Sequence, residues 1–322
     1  MKFLNMTSVK KDKLRKKSGM LCYSIVRLIL CLGFAYTILY PLIMMISRAI
    51  MSVEDLYDNS VVWIPKSFSM ETIKAIFELL DYPSALWNSL WIALAITIMQ
   101  LITCMATGYG FARFKFPGRN ILFGGVIFSL LVPPQLVIMP TYLNFKEFDI
   151  FGIIELIAGA PLNLLNTSLP MFLLAVTGNG IKCGLFIYIF RQTFINIPME
   201  TEEAATVDGA GAFKTFVQIM VPSARNAAIT VGLFSFVWQW NDIFYSNIYL
   251  KEETLSMSYL GLGLGNIASI NPDFAKYNFY NTTIKAAFEG TAVLLILLPL
   301  IIMFLALQRY FVDSVENSGL VG

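Results

Sequence analysis

Residues 191–226 read RQTFINIPMETEEAATVDGAGAFKTFVQIMVPSARN. Glu200, Glu202 and Glu203 crowd the start of a helical stretch, where the helix macrodipole favours anions. Gly209 and Gly211 interrupt that stretch. Phe213, Phe216, Val217 and Met220 then recur at helical spacing as a second apolar stripe, and Pro222 separates it from the long apolar run that begins at Ala227. The spacing predicts two short helices set at an angle. Such a pair fits a partner's groove, and equally an amphipathic element that touches only lipid headgroups. Periodicity alone does not separate the two.

On either side of this segment the chain is apolar. Of its 322 residues, 57% are hydrophobic and 14% are charged, against about a quarter charged in a soluble domain. A bilayer core needs roughly 20 apolar residues per helix. Six stretches meet that length: Leu21–Ile46, Trp87–Phe111, Ile121–Leu143, Leu169–Phe194, Ala227–Tyr249 and Ala286–Gln308. Ile150–Leu165 is shorter and is broken by Gly159 and Pro161, so it reads as an extramembrane or re-entrant element. The first span is too long for a cleaved signal peptide and lacks a small-residue cleavage site after it. The expected organisation is a basic tail at 1–20, one six-span domain at 21–312 that includes the loop 191–226, and a tail at 313–322.

Lys10, Lys11, Lys13, Arg15, Lys16 and Lys17 precede the first span. A polybasic run beside a span marks the cytoplasmic side rather than nucleic acid. Six spans from an inner N-terminus put both termini and the loop 191–226 inside. Inner segments then carry 14 Lys and Arg and outer segments 7, with Arg27 and Lys182 within spans. This bias agrees with the orientation.

Span two carries Thr97, Gln100, Thr103 and Thr107 on one helical face. Span five carries Ser235, Gln239, Asp242 and Ser246 on one face, with Asn241 beside them. Hydroxyl and amide side chains bond helices to each other in membranes; the same faces can line a polar path. Asp242 is ionisable and costly toward lipid. Trp238, Gln239, Trp240, Asn241, Asp242 and Tyr245 offer flat rings and hydrogen-bonding groups within two turns, the two chemistries that a sugar presents in return. Lys182 lies roughly 20 Å from the inner end of span four at 1.5 Å per residue. It either snorkels or pairs, with Glu289 in span six as a partner. Pro133, Pro134 and Pro140 each remove a backbone donor, so span three should kink or break.

There is no histidine, which excludes the Ser–His–Asp triad and the common zinc sites. Cys22, Cys31, Cys104 and Cys183 sit in apolar stretches without a CxxC pair and read as buried small hydrophobes, not as a metal site or a disulfide frame. Gly178–Lys182 lacks Walker A spacing, and Gly261-Leu262-Gly263-Leu264-Gly265 is not G-x-G-x-x-G. No cofactor is expected.

The loop resembles the EAA loop of bacterial ABC importer permeases, in which E-A-A is followed by three residues, G, nine residues and I-x-L-P. Here Glu203-Ala204-Ala205 leads to Gly209, within Asp208-Gly209-Ala210, and to Ile219-Met220-Val221-Pro222. Much of residues 60–312 is similar to the carbohydrate branch, in its maltose-type second permease. The shared stretches are Asn88-Ser89-Leu90, Ala112–Arg119, Pro133–Tyr142, Trp240-Asn241-Asp242, Leu298-Pro299-Leu300 and Gln308–Val312. The usual G-rich tail is replaced by DSVENSGLVG, 149–164 looks inserted, and Lys182 falls where the family is usually uncharged.

The resemblance implies an all-α integral membrane fold, with six transmembrane helices and a cytoplasmic coupling-helix loop, the transmembrane domain of a type I ABC importer. It implies that Glu203, Ala204, Ala205, Asp208, Gly209, Ala210, Ile219 and Pro222 couple to an ATPase. Thr97, Gln100, Lys182, Ser235, Trp238, Gln239, Asn241, Asp242, Tyr245 and Ser246 are the expected translocation path. The implied partners are a second, different permease, two ATP-binding subunits, an extracellular solute-binding protein, the bilayer of a bacterial cytoplasmic membrane and a sugar. The chain itself would catalyse nothing. The rival is a proton-coupled secondary transporter using Lys182, Asp242 and Glu289 as relays; it leaves the loop motif unexplained.

Overall fold

A computed structural model describes residues 2–250, Thr254 and 277–319; for 2–19, 21–22, 307 and 309–319 it describes the backbone. Lys251, Lys276, the stretch 261–265 and the last three residues lie outside the described residues. Those described are almost entirely helical, with two isolated antiparallel bridges, Met51 to Phe68 and Phe148 to Leu162. The chain divides into two compact units, Met1–Ile76 with Leu264–Leu294 and Phe77–Gly263 with Leu295–Gly322.

The first unit holds α1 (Lys2–Ala49), α2 (Val53–Tyr57), most of α3 (Glu71–Leu79) and the start of the last helix, Thr282–Gly319. Within α1, the apolar stretch Tyr23–Ala49 turns a wholly unburied window outward, as a lipid-facing helix does. Its C-terminal end meets the last helix at Gly290, where a Cβ would come within 3.1 Å of Met45 Cγ; a small residue lets the two helices approach. Beyond α1 the chain is pinned by Asp55, whose carboxylate accepts the backbone N–H groups of Lys66 and Ser67 at 2.8 and 2.9 Å. Lys66 donates to Asp58 at 2.6 Å and holds that exposed carboxyl well below the usual range. Exposure keeps this pair a minor contributor to stability.

The second unit is organised on α4 (Tyr82–Arg113), one of three unbroken helices among the described residues that are long and apolar enough to cross a membrane. The others are Tyr23–Ala49 and Thr282–Ala306. The remaining three expected spans are interrupted. Span three divides into α5 (Arg119–Ser129) and α6 (Pro134–Lys146), bent by 102°. Pro134 begins α6, where a missing N–H costs nothing. Pro140 stays inside α6, and the Thr141 hydroxyl donates to the carbonyls of Val137 and Ile138 at 2.9 Å. Thus only one of the two proline positions breaks the helix.

Between α6 and span four, α7 (Ile153–Ala158) forms a short loop closed by the Phe148–Leu162 bridge. Span four divides into α8 (Leu169–Val176) and α9 (Cys183–Asn196). The break carries Gly178 at φ 74° and Lys182 at φ 60°; a lysine in this region is uncommon. The loop 191–226 then forms α10 (Glu200–Val207), α11 (Ala212–Thr215), a π-helical turn (Phe216–Met220) and α12 (Val221–Ser223). The wide turn sits just before Pro222, whose ring would otherwise crowd the carbonyl four residues back. Span five comes next as α13 (Arg225–Trp240) and α14 (Phe244–Tyr249), and the last helix is α15 (Thr282–Gly319). The segment Ala212–Ser223 meets α13 at 76°, so the chain bends sharply where the loop enters span five.

Candidate functional site

The loop 191–226 is built from its glycines outward. Gly209 has φ 79° and ends α10 as a Schellman cap: its own N–H donates to Thr206 O at 3.0 Å and the next N–H, Ala210's, to Ala205 O at 2.9 Å. Asp208, Gly209 and Ala210 therefore form the turn between two short helices. Of α10, only Ala205 is buried; Glu203 and Ala204 are exposed, and Val207 is 87% exposed. The apolar stripe expected over Phe213–Met220 is split. Phe213 is 81% exposed and Val217 also faces out, while Met220 is fully buried and Phe216 packs on Tyr109, ring centroids 4.8 Å apart. A π turn between them shifts the register by one residue, which helical spacing does not anticipate. Glu203 and Val207, one turn apart on α10, and Phe213 on α11 are thus all exposed, an acidic group and two apolar ones. Ile219 is half-buried and Pro222 exposed at the far end of the loop.

Within the apolar unit, the two polar faces meet each other. Ser235 on α13 donates to Gln100 Oε1 at 2.5 Å and contacts Thr97 Oγ1 at 3.3 Å. The Gln100 amide donates to the carbonyl of Ile181 at 3.1 Å, and Thr103 donates to the carbonyl of Val176 at 3.1 Å. Both carbonyls are freed by the interruption of span four. A backbone break at membrane depth is tolerated where neighbours satisfy its polar groups, and span two supplies those groups. Thr97, Gln100, Ser235 and Gln239 are all buried.

Asp242 lies in the interruption of span five. Its carboxylate accepts the N–H of Tyr245 at 3.2 Å and both the N–H and the hydroxyl of Ser246, at 2.8 and 2.9 Å. It caps α14. Asp242→Ala is expected to destabilise the subunit by about 1 kcal/mol, the usual loss for a helix N-cap, read as a lower thermal midpoint of the detergent-solubilised protein. An unchanged midpoint would contradict the capping role.

The interruptions of spans three and four together line a cavity of about 690 Å³, with Pro133, Thr141, Gly178, Lys182 and Tyr245 on its wall. Lys182 is exposed, and its ammonium sits 4.8 Å from the Trp238 ring centroid. Glu289, expected as its partner, instead pairs with Lys285 at 3.8 Å, one turn away on α15. Trp238 and Asn241 are exposed as well, and Tyr245 is half-buried. Cys104 and Cys183 are buried and free as expected; Cys31 is exposed, because it lies on the outward face of α1. The side chain of Cys22 lies outside the described residues.

Two residues beside the loop 191–226 stand out only in the structure. Arg113, the last residue of α4, reaches into the loop, and Arg191 lies over the Phe123 ring at 4.1 Å. A basic residue at the end of a span reads first as a topology signal; its long-range partners leave no local pattern.

The family model for the inner membrane component of binding-protein-dependent transport systems matches residues 101–317. The osmoprotective compounds uptake permease protein GgtD of Synechocystis sp. is 31% identical over 72% of this chain and 68% of its own. The arabinooligosaccharides transport system permease protein AraQ of Halalkalibacterium halodurans is 24% identical over 91% of this chain and 96% of its own. Among solved structures, a chain of a bacterial ABC transporter involved in the import of the acidic polysaccharide alginate superposes with TM-score 0.70. That match, at 22% identity, covers 90% of this chain and 96% of the other.

Proposed function

Because the chain belongs to the family of inner membrane components of binding-protein-dependent transport systems, we propose that it is the permease subunit of an ATP-driven importer whose cargo is a sugar or oligosaccharide. The observation that carries this is the loop 191–226. Its capped turn at Gly209 presents Glu203, Val207 and Phe213 outward, while its other side is packed into the apolar unit. An acidic and apolar face on a rigid turn fits a groove with a basic residue in it, as an ATP-binding subunit would offer. The named cargoes of AraQ and of the alginate importer support the carbohydrate reading.

In this reading ATP is hydrolysed by partner subunits. A second permease completes the path, and a solute-binding protein delivers the cargo on the outside. The N-terminus, the C-terminus and the loop lie on the cytoplasmic side, in keeping with the lysine and arginine bias. The translocation path is fronted by Lys182 and Tyr245 at the cavity, with Trp238 against Lys182 and Asn241 exposed nearby in sequence. Thr97, Gln100, Ser235, Gln239, Asp242 and Ser246 stand behind them and hold the interrupted helices in place. The proton-relay alternative is disfavoured: Lys182 rests on Trp238 and Glu289 on Lys285.

A cysteine placed at Glu203 tests the docking face. In the assembled complex, Glu203→Cys is expected to form a disulfide cross-link with a cysteine introduced into the ATP-binding subunit. Labelling of that cysteine only by lipid-phase reagents would make the loop an interfacial element instead.

A further inference from the structure

Arg113 holds three helix ends at once. It is the last residue of α4, so its charge lies where that helix's own dipole favours a cation. One terminal nitrogen, Nη2, donates to the carbonyl of Ile197, the residue that ends α9, at 2.6 Å. The other, Nη1, meets the sulfur of Met199, the residue that begins α10, at 3.0 Å. Its Nε lies 2.7 Å from Glu202 Oε1, an ionic contact off the hydrogen-bond angle. Glu202 sits in the first turn of α10, where that helix favours an anion. The side chains are 7% and 18% exposed. One turn back on α4, Tyr109 packs against Phe194 of α9 and Phe216 of the π turn.

We infer that Arg113 is the positioning residue that ties the coupling helix α10 to spans two and four, so that a displacement of α10 is carried into both. This rests on the coupling reading of the loop. Ala205 is the one fully buried residue of α10, so apolar packing alone does not fix its orientation. A buried ion pair adds little net stability, yet removing one partner leaves an uncompensated charge. Such a pair serves orientation better than stability. Only a planar fork of several donors reaches a carbonyl oxygen at the end of α9 together with a sulfur and a carboxylate at the start of α10; an ammonium is a point charge.

The test uses the complex purified with its ATP-binding subunits, with spin labels on cysteines introduced at Ile102 on α4 and Thr206 on α10, and Cys22 and Cys31 replaced by Ser. The native protein is expected to give one narrow distance distribution. In Arg113→Met it is expected to broaden about twofold, as an unpaired Glu202 releases α10. The ATP-binding subunits should remain bound, because Glu203, Val207 and Phe213 are exposed and take no part in the Arg113 contacts. Arg113→Lys should recover the width only in part. The exchanged pair Arg113→Glu with Glu202→Arg should narrow the distribution again relative to Arg113→Glu alone, which a purely packing role would not do. An unchanged width in Arg113→Met and Glu202→Gln overturns the inference, as does broadening that the exchanged pair leaves untouched. Loss of ATP-binding subunits from Arg113→Met at native width would make Arg113 a docking residue and overturn it too. If no ATP-binding subunit co-purifies with the native chain, the coupling reading itself fails, while the width still reports whether Arg113 holds α10.

Discussion

Gly209→Asp is expected to lower ATP-driven uptake by about tenfold while the subunit remains folded in the membrane. At φ 79° a residue with a Cβ pays roughly 1–2 kcal/mol, and each 1.4 kcal/mol is a factor of ten. Nothing lies within 4 Å of the position that Cβ would take, so the added atoms clash with no part of the chain. The strain falls on the turn that sets α11 against α10. Aspartate also adds a second negative charge next to Asp208, on the exposed side of the loop. Gly209→Asn isolates the charge, since asparagine has the shape of aspartate, shares its tolerance of this backbone region and carries no charge. It should retain much of the uptake. The measurement is uptake set against the amount of ATP-binding subunit recovered per permease. Full uptake in Gly209→Asp would count against a docking role for this turn.

Gly108→Ala is expected to act on the fold rather than on docking. Its Cβ would stand 2.6 Å from the Cβ of Phe190 and 2.9 Å from the backbone nitrogen of Arg191. Neither can swing aside as the end of a flexible side chain would, so α4 and α9 must separate. Overpacking of this kind costs typically 1–3 kcal/mol, and the displaced turn adjoins Tyr109, which packs against Phe194. The buried thiols of Cys104 and Cys183 provide the readout, because a thiol-reactive dye reaches them only on unfolding. With Cys22 and Cys31 replaced by Ser, the midpoint of dye reaction should fall by several degrees. An unchanged midpoint would mean that the two helices cross with more room than the structure gives them.

These positions show which kinds of information a single sequence holds. The apolar lengths located the three unbroken spans among the described residues, because burial in lipid acts on each residue independently of its neighbours. The turn at Gly209 was legible for a similar reason: glycine is the residue that a left-handed helix end calls for. The break in span three was expected from Pro133 and Pro134, yet Pro140 stayed helical, since a nearby hydroxyl and the surrounding helices decide whether a proline kink opens. The two polar faces were visible as faces. That they meet, and that Gln100 and Thr103 serve the interruption of span four, depends on contacts 73 to 135 residues apart in the chain. No periodicity encodes such distances. Lys182 is conspicuous in the sequence as a charge within a span, but its neighbour Trp238 lies on another span. Arg113 was visible only as part of a motif, because a charge at the end of a span has the same local pattern whether it faces water or clamps a helix.

The central claim is that this chain moves its cargo by coupling to ATP hydrolysis in a partner. The most direct measurement is uptake into proteoliposomes that hold the complete complex, with the loaded solute-binding protein outside and ATP inside. The account predicts uptake that requires both, and that persists when a protonophore collapses the proton gradient. Uptake without ATP that tracks an imposed proton gradient would contradict it.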